Sequence, residues 1–276
     1  MTYATLMVNL QLGQSNAGLL QAAADVADRF DAEIVGIAAC QPALMIYDDG
    51  CYGAGNLIQQ DRDEIDRRIA AAEAEFHEAL GSRRRAAEWR STVTLGSLSD
   101  VVSCEARCAD LVITGVPVAG SMGASRGVNA GDLVMQLGRP ALVVPAAVDR
   151  LSMERIVVGW KDAREPRRAV LDALPLLKRA GHVAVVEIAR ESELADARMH
   201  VGDVVKWLAR HGVAADGIAT AASGGDADGL FAIAREHDAG LIVAGAYGHA
   251  RLREWAFGGV TRDLLFDARL CSLLSH

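Results

Sequence analysis

The hydrophobic and polar positions along this chain form two kinds of segment that alternate. Short apolar runs, such as TLMVNL at 5–10 and EIVGIAA at 33–39, are typical of strands buried on both faces of a sheet. Longer segments with apolar residues at every third or fourth position, as at 16–29 and 57–80, predict amphipathic helices. Strands that alternate with helices in this way indicate an α/β fold with parallel sheets and right-handed crossovers.

The alternation runs through the chain twice. The predicted strands are 5–10, 33–39, 88–95, 111–115, 141–145, 155–160, 182–189, 217–222, 241–245 and 270–274, and the predicted helices are 16–29, 57–80, 99–107, 132–137, 166–179, 194–211, 226–236 and 260–267. Segment 109–115 (ADLVITG) corresponds to 239–245 (AGLIVAG), and 127–133 (GVNAGDL) corresponds to 258–264 (GGVTRDL). This period is far longer than that of a solenoid repeat. The sequence therefore predicts a duplicated domain, with boundaries at 1–147 and 153–276 and five strands in each part.

The most distinctive segment for chemistry is 241–261, LIVAGAYGHARLREWAFGGVT. An apolar strand ends at Gly245, Gly248 follows, and Gly258 precedes a helical pattern. Glycine lets a ligand approach the bare backbone, and the start of a helix favours an anion. This pattern predicts a phosphate-binding site between a strand and a helix. The alternative interpretation is two ordinary loop turns and a helix cap, because glycines are common in loops.

The pattern G-x2-G-x9-G at Gly245, Gly248 and Gly258 resembles the nucleotide-binding signature of the universal stress protein family, and the whole duplicated chain is similar to its tandem members. The resemblance implies two tandem doubly wound domains of the adenine nucleotide alpha hydrolase type, each with a five-stranded parallel sheet, packed as an internal pseudo-dimer. It also implies a stress-response regulatory protein with one site for ATP or another adenine nucleotide in the C-terminal domain. The phosphates would lie on the glycines, and the base would lie near the first and second strands of that domain. The candidate nucleotide-binding residues are Gly245, Gly248, His249, Gly258, Gly259, Val260, Thr261, Trp160 and Asp162.

Two positions of the C-terminal half depart from the family pattern. Members usually carry Ser or Thr directly after the third glycine, where this chain has Gly259. A carboxylate commonly follows the first strand, and here the aligned position is either Lys161 or a shifted Asp162.

The N-terminal half departs further from that pattern. Gly115 and Gly127 match the outer glycines, while Val118 stands in place of the middle one. Residues 9–11 (NLQ) supply no carboxylate after the first strand. We expect this half to be a degenerate, empty copy of the site that acts as a scaffold and pairing partner.

The net charge of the chain and the lengths of its apolar runs limit the kinds of partner and the cellular location that can be expected. The chain has 276 residues and a formal net charge of −8 without a basic tail, which disfavours nucleic acid as a partner. No apolar run is long enough to span a bilayer, and the N-terminus lacks the basic region of a signal peptide. The sequence therefore predicts no membrane span and a cytoplasmic location. Oligomeric state stays open between a monomer with an internal pseudo-dimer and a homodimer.

Five cysteines, an odd number, predict reduced thiols. Cys104 and Cys108 lie four residues apart on a predicted helix, where core packing is the expected role. A metal pair would need two more ligands nearby, and no C-x2-C or H-x3-H spacing supplies them. No metal site is therefore predicted.

Two other functional hypotheses come from different segments. The loop at 41–56 carries four consecutive apolar residues at 44–47, so a nucleotide-free scaffold that binds a protein or an apolar ligand is the first alternative. The G-x-S-x-G pattern at 123–127 would make Ser125 a hydrolase nucleophile. That motif requires a strand leading directly into the serine, and here the strand ends ten residues earlier, at Gly115. Since no residue stands out as a base for water, no enzymatic activity beyond a weak ATPase is expected.

Overall fold

The computed structural model describes residues 2–43, 54–81, 87–116, 126–222, 225–246, 259–266 and 270–276. The strands are β1 (Thr5–Asn9), β2 (Glu33–Cys40), β3 (Ala87–Val93), β4 (Leu111–Gly115), β5 (Ala141–Val144), β6 (Arg155–Gly159), β7 (His182–Ala189), β8 (Ala215–Ala221), β9 (Leu241–Gly245) and β10 (Cys271–Ser275). The helices are α1 (Ala17–Phe30), α2 (Ala54–Leu80), α3 (Leu98–Glu105), α4 (Ala130–Gln136), α5 (Arg164–Leu177), α6 (Leu194–Arg210), α7 (Asp226–Glu236) and α8 (Gly259–Phe266), with short 3-10 turns at Ala106–Cys108 and Glu191–Glu193.

Each predicted strand and helix is present, and the differences lie at the ends. Strand β3 stops at Val93, two residues before the predicted end, because Thr94 begins a turn in which its Oγ1 accepts a hydrogen bond from Gly96 N–H. Helix α5 begins at Arg164, before the predicted start at Pro166, because proline is compatible with the first turn of a helix. The period of the apolar residues therefore predicted the type and order of the elements.

The strands form one ten-stranded sheet in the order β3-β2-β1-β4-β5-β10-β9-β6-β7-β8. The two groups of five strands are each parallel, as predicted. They join through β5 and β10, which pair antiparallel with Leu142 opposite Leu273. The internal pairing of the two halves is thus a shared sheet, which the repeat in the sequence did not reveal.

The two faces of this sheet carry separate apolar cores, and both cores cross the junction between the halves. One core packs against α1, α2, α5 and α6 and includes Leu142 and Leu273. The other packs against α3, α4, α7 and α8 and includes Val143 and Leu274. The buried Tyr3 hydroxyl donates a hydrogen bond to Asp172 O at 2.7 Å, which also connects the two halves.

The prediction of core packing for Cys104 and Cys108 is wrong, because both are exposed. Helix α3 ends at Glu105 and tightens into a 3-10 turn, so Val102 and Ala106 fill the core instead. Cys271 is buried, and burial raises the pKa of its thiol to about 12. In the described ranges, no group of three or more His, Cys, Asp or Glu residues is placed to hold a metal ion. Within the same ranges, no helix has the length and apolar character needed to cross a membrane.

Candidate functional site

A cavity of about 250 Å³ opens at the carboxyl ends of β6 and β9. These neighbouring strands lead to helices on opposite faces of the sheet, since β6 is followed by α5 and β9 by α8. Such a switch point leaves a crevice beyond the strand ends, where doubly wound folds bind ligands. The cavity is lined by Gly159, Trp160, Lys161, Ala163, Pro166, Val186, Ile188, Asp226, Leu230, Ala244, Gly245, Val260 and Thr261.

Small residues at the strand ends keep this crevice open. Gly159 pairs with Ala244 across β6 and β9, and a Cβ added at Gly159 would lie 3.0 Å from Leu230 Cδ2. Gly245 has less room, since its Cβ would lie 2.4 Å from Pro166 N. The first glycine of the motif is therefore required by the packing of α5 against β9, in addition to any ligand.

Three helices, α5, α7 and α8, begin at the cavity, and residues at the starts of α7 and α8 together with Lys161 determine its charge distribution. Val260 and the buried Thr261 lie in the first turn of α8, where N–H groups lack partners within the helix and the dipole favours an anion. Lys161 adds a cation, and Asp226 at the start of α7 adds a carboxylate. The start of α8 and Lys161 can therefore bind an anionic group, and the Asp226 carboxylate can accept hydrogen bonds from hydroxyl groups. The apolar lining residues can pack against a flat ring.

Four of the candidate residues line the cavity, namely Gly245, Trp160, Val260 and Thr261. Gly259 is the first residue of α8. Asp162 lies outside the cavity lining and accepts a hydrogen bond from Arg167, which holds the pKa of its carboxyl below the usual range. Lys161 and Asp162 are the two alternatives for the position that follows β6, the first strand of the C-terminal half, and of these Lys161 lines the cavity. Gly248, His249 and Gly258 lie outside the described residues, as do Ser125, Val118 and the apolar segment 44–47.

Sequence reasoning did not identify Asp226 or the apolar wall of Val186, Ile188 and Leu230 as lining residues. Asp226 lies in the first turn of a helix, where an acidic residue is common because it interacts favourably with the helix dipole, so its position alone does not indicate a binding site. Val186 and Ile188 alternate along β7, so both side chains point to the face of the sheet that carries the cavity. The rule that ligands lie beyond the carboxyl ends of strands would have pointed to these residues once the strand order was known.

In the N-terminal half, polar side chains fill the corresponding switch point. Asn9 and Thr114 pair across β1 and β4 in the register that Gly159 and Ala244 occupy across β6 and β9. Asn9 Nδ2 donates a hydrogen bond to Thr114 Oγ1 at 3.0 Å, and both residues are fully buried. A cavity of only about 10 Å³ remains beside Gln11.

A partly buried ion pair between Arg126 and Asp61 lies beside this small cavity, which Arg126 also lines. Arg126 bonds Asp61 with both of its terminal nitrogens, at 2.8 and 3.0 Å. Ala43 N–H donates to the same carboxylate at 2.8 Å, and Arg126 Nε donates to Gln41 O at 2.8 Å. Burial alone would raise the pKa of Asp61, but these hydrogen bonds and the Arg126 charge lower it overall.

Comparison with solved structures places the fold among universal stress proteins. A universal stress protein from Archaeoglobus fulgidus DSM 4304 superposes with a TM-score of 0.70 at 13% identity, covering 98% of this chain and 97% of that one. A provisionally named universal stress protein from Pseudomonas aeruginosa UCBPP-PA14 gives 0.60 at 16% identity, with 99% and 93% covered. A protein of unknown function from Pseudomonas aeruginosa PAO1 gives 0.61 at 15% identity, with 99% and 92% covered.

Comparison with family models and with characterised proteins finds no match to the sequence itself. At this level of identity the structural likeness establishes the fold over the whole length of the chain. The resemblance predicted from the glycine motif and the duplication is therefore confirmed as a likeness of fold.

Proposed function

We propose that this chain, which has the fold of the universal stress proteins along its whole length, is a stress-response regulatory protein that binds ATP or another adenine nucleotide. The site is the cavity between the ends of β6 and β9. One observation carries the proposal: Gly159 and Ala244 leave the switch point open at the place where α8 begins.

Each part of the cavity suits one part of such a ligand. The first turn of α8 and the Lys161 ammonium group favour phosphates. Val186, Ile188 and Leu230 offer an apolar surface for the base, and Trp160 offers an aromatic one. The Asp226 carboxylate is an acceptor for ribose hydroxyls. The motif residues Gly248, His249 and Gly258 belong to the same proposal on sequence grounds.

The filled switch point of the N-terminal half supports a single site per chain. Asn9 and Thr114 use the space that Gly159 and Ala244 leave open. We therefore propose domains at 1–147 and 153–276, the first a scaffold and the second the binding domain. A protein partner that responds to the bound nucleotide belongs to this proposal. The cytoplasmic location stays a prediction, and any hydrolysis of ATP is expected to be slow.

The test is a calorimetric titration with ATP, after any nucleotide carried through purification has been released by denaturation and identified by chromatography. We expect one site per chain. Gly159→Asn, which copies the N-terminal residue into the C-terminal site, should weaken binding by at least ~10-fold, equivalent to ~1.4 kcal/mol. Lys161→Met alters only a side chain at the edge of the cavity and should weaken binding by roughly 3- to 10-fold through the lost charge pairing.

Gly202→Ala is the matched control, because this glycine of α6 lies on open surface and its Cβ would meet nothing within 4 Å. Two nucleotides per chain would show that the N-terminal half also binds. No release and no binding at millimolar ATP would refute the site and favour the nucleotide-free scaffold.

A further inference from the structure

A second cavity, of about 490 Å³, lies between α5 and α6 on the other face of the sheet. Its lining consists of two indoles, three aliphatic side chains and four ionisable groups: Trp160, Asp162, Arg167, Val170, Leu171, His200, Asp203, Val204 and Trp207. We call this cavity the α5–α6 crevice. Its size and mixed lining are typical of sites for small organic molecules.

The crevice is a feature of the C-terminal half. In the N-terminal half the corresponding helices α1 and α2 pack together, and Glu75 of α2 accepts hydrogen bonds from Asn16 N at 2.8 Å and Asn16 Nδ2 at 3.1 Å. No hydrogen bond or ion pair joins α5 to α6, both of which are described along their full length. The duplicated halves therefore differ here, as they differ at the switch point.

The walls of the crevice are aromatic and apolar. Val170 and Val204 are buried at its base, and Trp160 and Trp207 pack against the core while still lining the crevice. Leu171 is 40% exposed, so it adds apolar surface that a ligand in the crevice can cover. Two indole rings offer the faces that bind cations best among aromatic side chains.

A buried carboxylate stands behind this lining. Glu187 on β7 has only 8% of its side chain exposed, and its two oxygens lie 3.4 Å from Nδ1 of His200. Its Oε2 has no hydrogen-bond donor among the described residues. The corresponding residue of β2 in the N-terminal half, sixth of eight in both strands, is Ala38. A carboxylate thus replaces a small apolar residue behind His200, which lines the crevice, and an incompletely paired buried charge is costly.

The other charges near the crevice are already neutralised. Asp162 is paired with Arg167, and Asp203 is paired with Lys206 at 3.2 Å. Lys161, which also acts on Glu187 electrostatically, lines the nucleotide cavity. Among the described residues, Glu187 is therefore the carboxylate next to the crevice that has no Lys or Arg side chain in contact, and His200 is its nearest partner.

We propose that the α5–α6 crevice binds a small aromatic ammonium ion. The aromatic body packs against Trp160 and Trp207, and the ammonium group is drawn to the end of the crevice lined by His200, behind which the Glu187 carboxylate lies. Attraction between the cation and the Glu187 charge and contact of the cation with the indole rings supply the selectivity. The inference rests on a different cavity from the nucleotide site, but Trp160 lines both, so the test is made without nucleotide.

The test uses the full chain without nucleotide and three probes of similar shape: 2-phenylethylammonium, neutral 2-phenylethanol and anionic 3-phenylpropionate. Tryptophan fluorescence and calorimetry report binding. The cation should bind at least ~10-fold more tightly than the alcohol, because only the cation is attracted by the Glu187 charge and by the indole rings. The anion should bind more weakly than both.

Variants locate the site. Glu187→Gln should weaken binding of the cation by ~10-fold and change binding of the alcohol by less than ~2-fold, because it removes the negative charge behind His200 and leaves the lining of the crevice unchanged. Trp207→Leu should weaken both probes, since it removes one aromatic wall. Asp216→Asn is the matched control: it removes a carboxylate of the same half that is paired with His182 away from the crevice, and it should leave all affinities unchanged.

Three outcomes would overturn the proposal. Equal affinity for cation and alcohol would mean that the crevice does not select charge. Unchanged affinity in both Glu187→Gln and Trp207→Leu would place the binding elsewhere. No binding of the cation at about 10 mM, weaker than the weakest useful affinity for a small ligand, would mean that the crevice is not a site of this class.

Discussion

At the end of β9, Gly245 is packed so closely against the start of α5 that no side chain fits at this position. A Cβ added at Gly245 would clash with the backbone of Glu165 and Pro166 at the start of α5. The same glycine lines the cavity that we propose as the nucleotide site. A motif glycine can thus be needed for the fold and for the ligand at once, and the two roles separate only by experiment.

We predict that Gly245→Ala lowers the free energy of unfolding by about 1–3 kcal/mol, the usual cost of overpacking. The nearest atoms are backbone atoms, at 2.4 and 2.5 Å from the added Cβ, so they cannot move aside as a flexible side chain would. Urea denaturation followed by circular dichroism measures the change.

Gly202→Ala is the control for the same chemical change in open surroundings, and it should stabilise the chain by roughly 0.5–1 kcal/mol because alanine favours a helix interior. If Gly245→Ala denatures at the same urea concentration as the unaltered chain, α5 does not restrict this position.

Among the elements, β7 and α2 each carry a carboxylate whose pKa departs from its usual value, in opposite directions. On β7, burial raises the pKa of Glu187, although His200 opposes the shift. On α2, the hydrogen bonds from Ala43 and Arg126 lower the pKa of Asp61 despite its burial. These shifts link the stability of the two halves to pH with opposite signs.

We predict that Glu187→Gln stabilises the chain at pH 7. A carboxyl group with a raised folded pKa contributes most to stability while protonated, and this contribution is lost as pH rises through the raised pKa. The amide of a glutamine at position 187 stays neutral, so the variant does not lose this stability as pH rises. The stabilisation should therefore be present at pH 7 and shrink below the ordinary pKa of glutamate, about 4.3.

Urea midpoints at pH 7 and at pH 4 measure this difference. Glu236→Gln, at the exposed end of α7, is the control and should show no such dependence. A destabilised Glu187→Gln variant at pH 7 would mean that the His200 contact outweighs the cost of burial.

We predict that Asp61→Asn destabilises the chain at pH 7 by about 2–3 kcal/mol, because it leaves the partly buried Arg126 without its charged partner. The folded pKa of Asp61 lies below its unfolded value, so its contribution is present above about pH 3.9 and disappears as pH falls through the lowered pKa.

The difference between Asp61→Asn and the unaltered chain should therefore narrow in acid. Asp63→Asn, on the exposed side of the same helix, is the control. A constant difference across pH would show that the charge of Asp61 is not the cause.

At the scale of the whole molecule, β5 pairs antiparallel with β10, so the two halves form one continuous sheet. The apolar core on each face of this sheet also extends across both halves. Leu142 and Leu273 are neighbours in one core, and Val143 and Leu274 belong to the other. The domain boundary proposed at 147–153 therefore does not separate independent apolar cores.

We predict that the chain unfolds in one cooperative transition, because separating the halves would expose β10 and both cores to water. Differential scanning calorimetry should give equal calorimetric and van't Hoff enthalpies. Two resolved transitions would show that each half is stable alone and that the shared sheet contributes little.

Sequence alone pointed to four of the residues that line the cavity at the ends of β6 and β9, and it did not predict the α5–α6 crevice. Gly245, Val260 and Thr261 could be identified from the sequence, because the residues of a glycine motif lie close together in the chain. Asp226 and Leu230 were not, because they reach the cavity only through the packing of α7. Likewise, Glu187 is one residue in an apolar strand pattern, and its burial behind His200 depends on where α6 lies.

The sequence by itself determined the alternation of strands and helices, the duplication and the position of the glycine motif, because each depends on periodicity or on residues close in the chain. Only the tertiary structure decided that the two sheets merge, that polar side chains fill one switch point and that the other stays open. These outcomes depend on which residues face each other across strands more than a hundred positions apart, as Asn9 does with Thr114, and no local pattern carries that information.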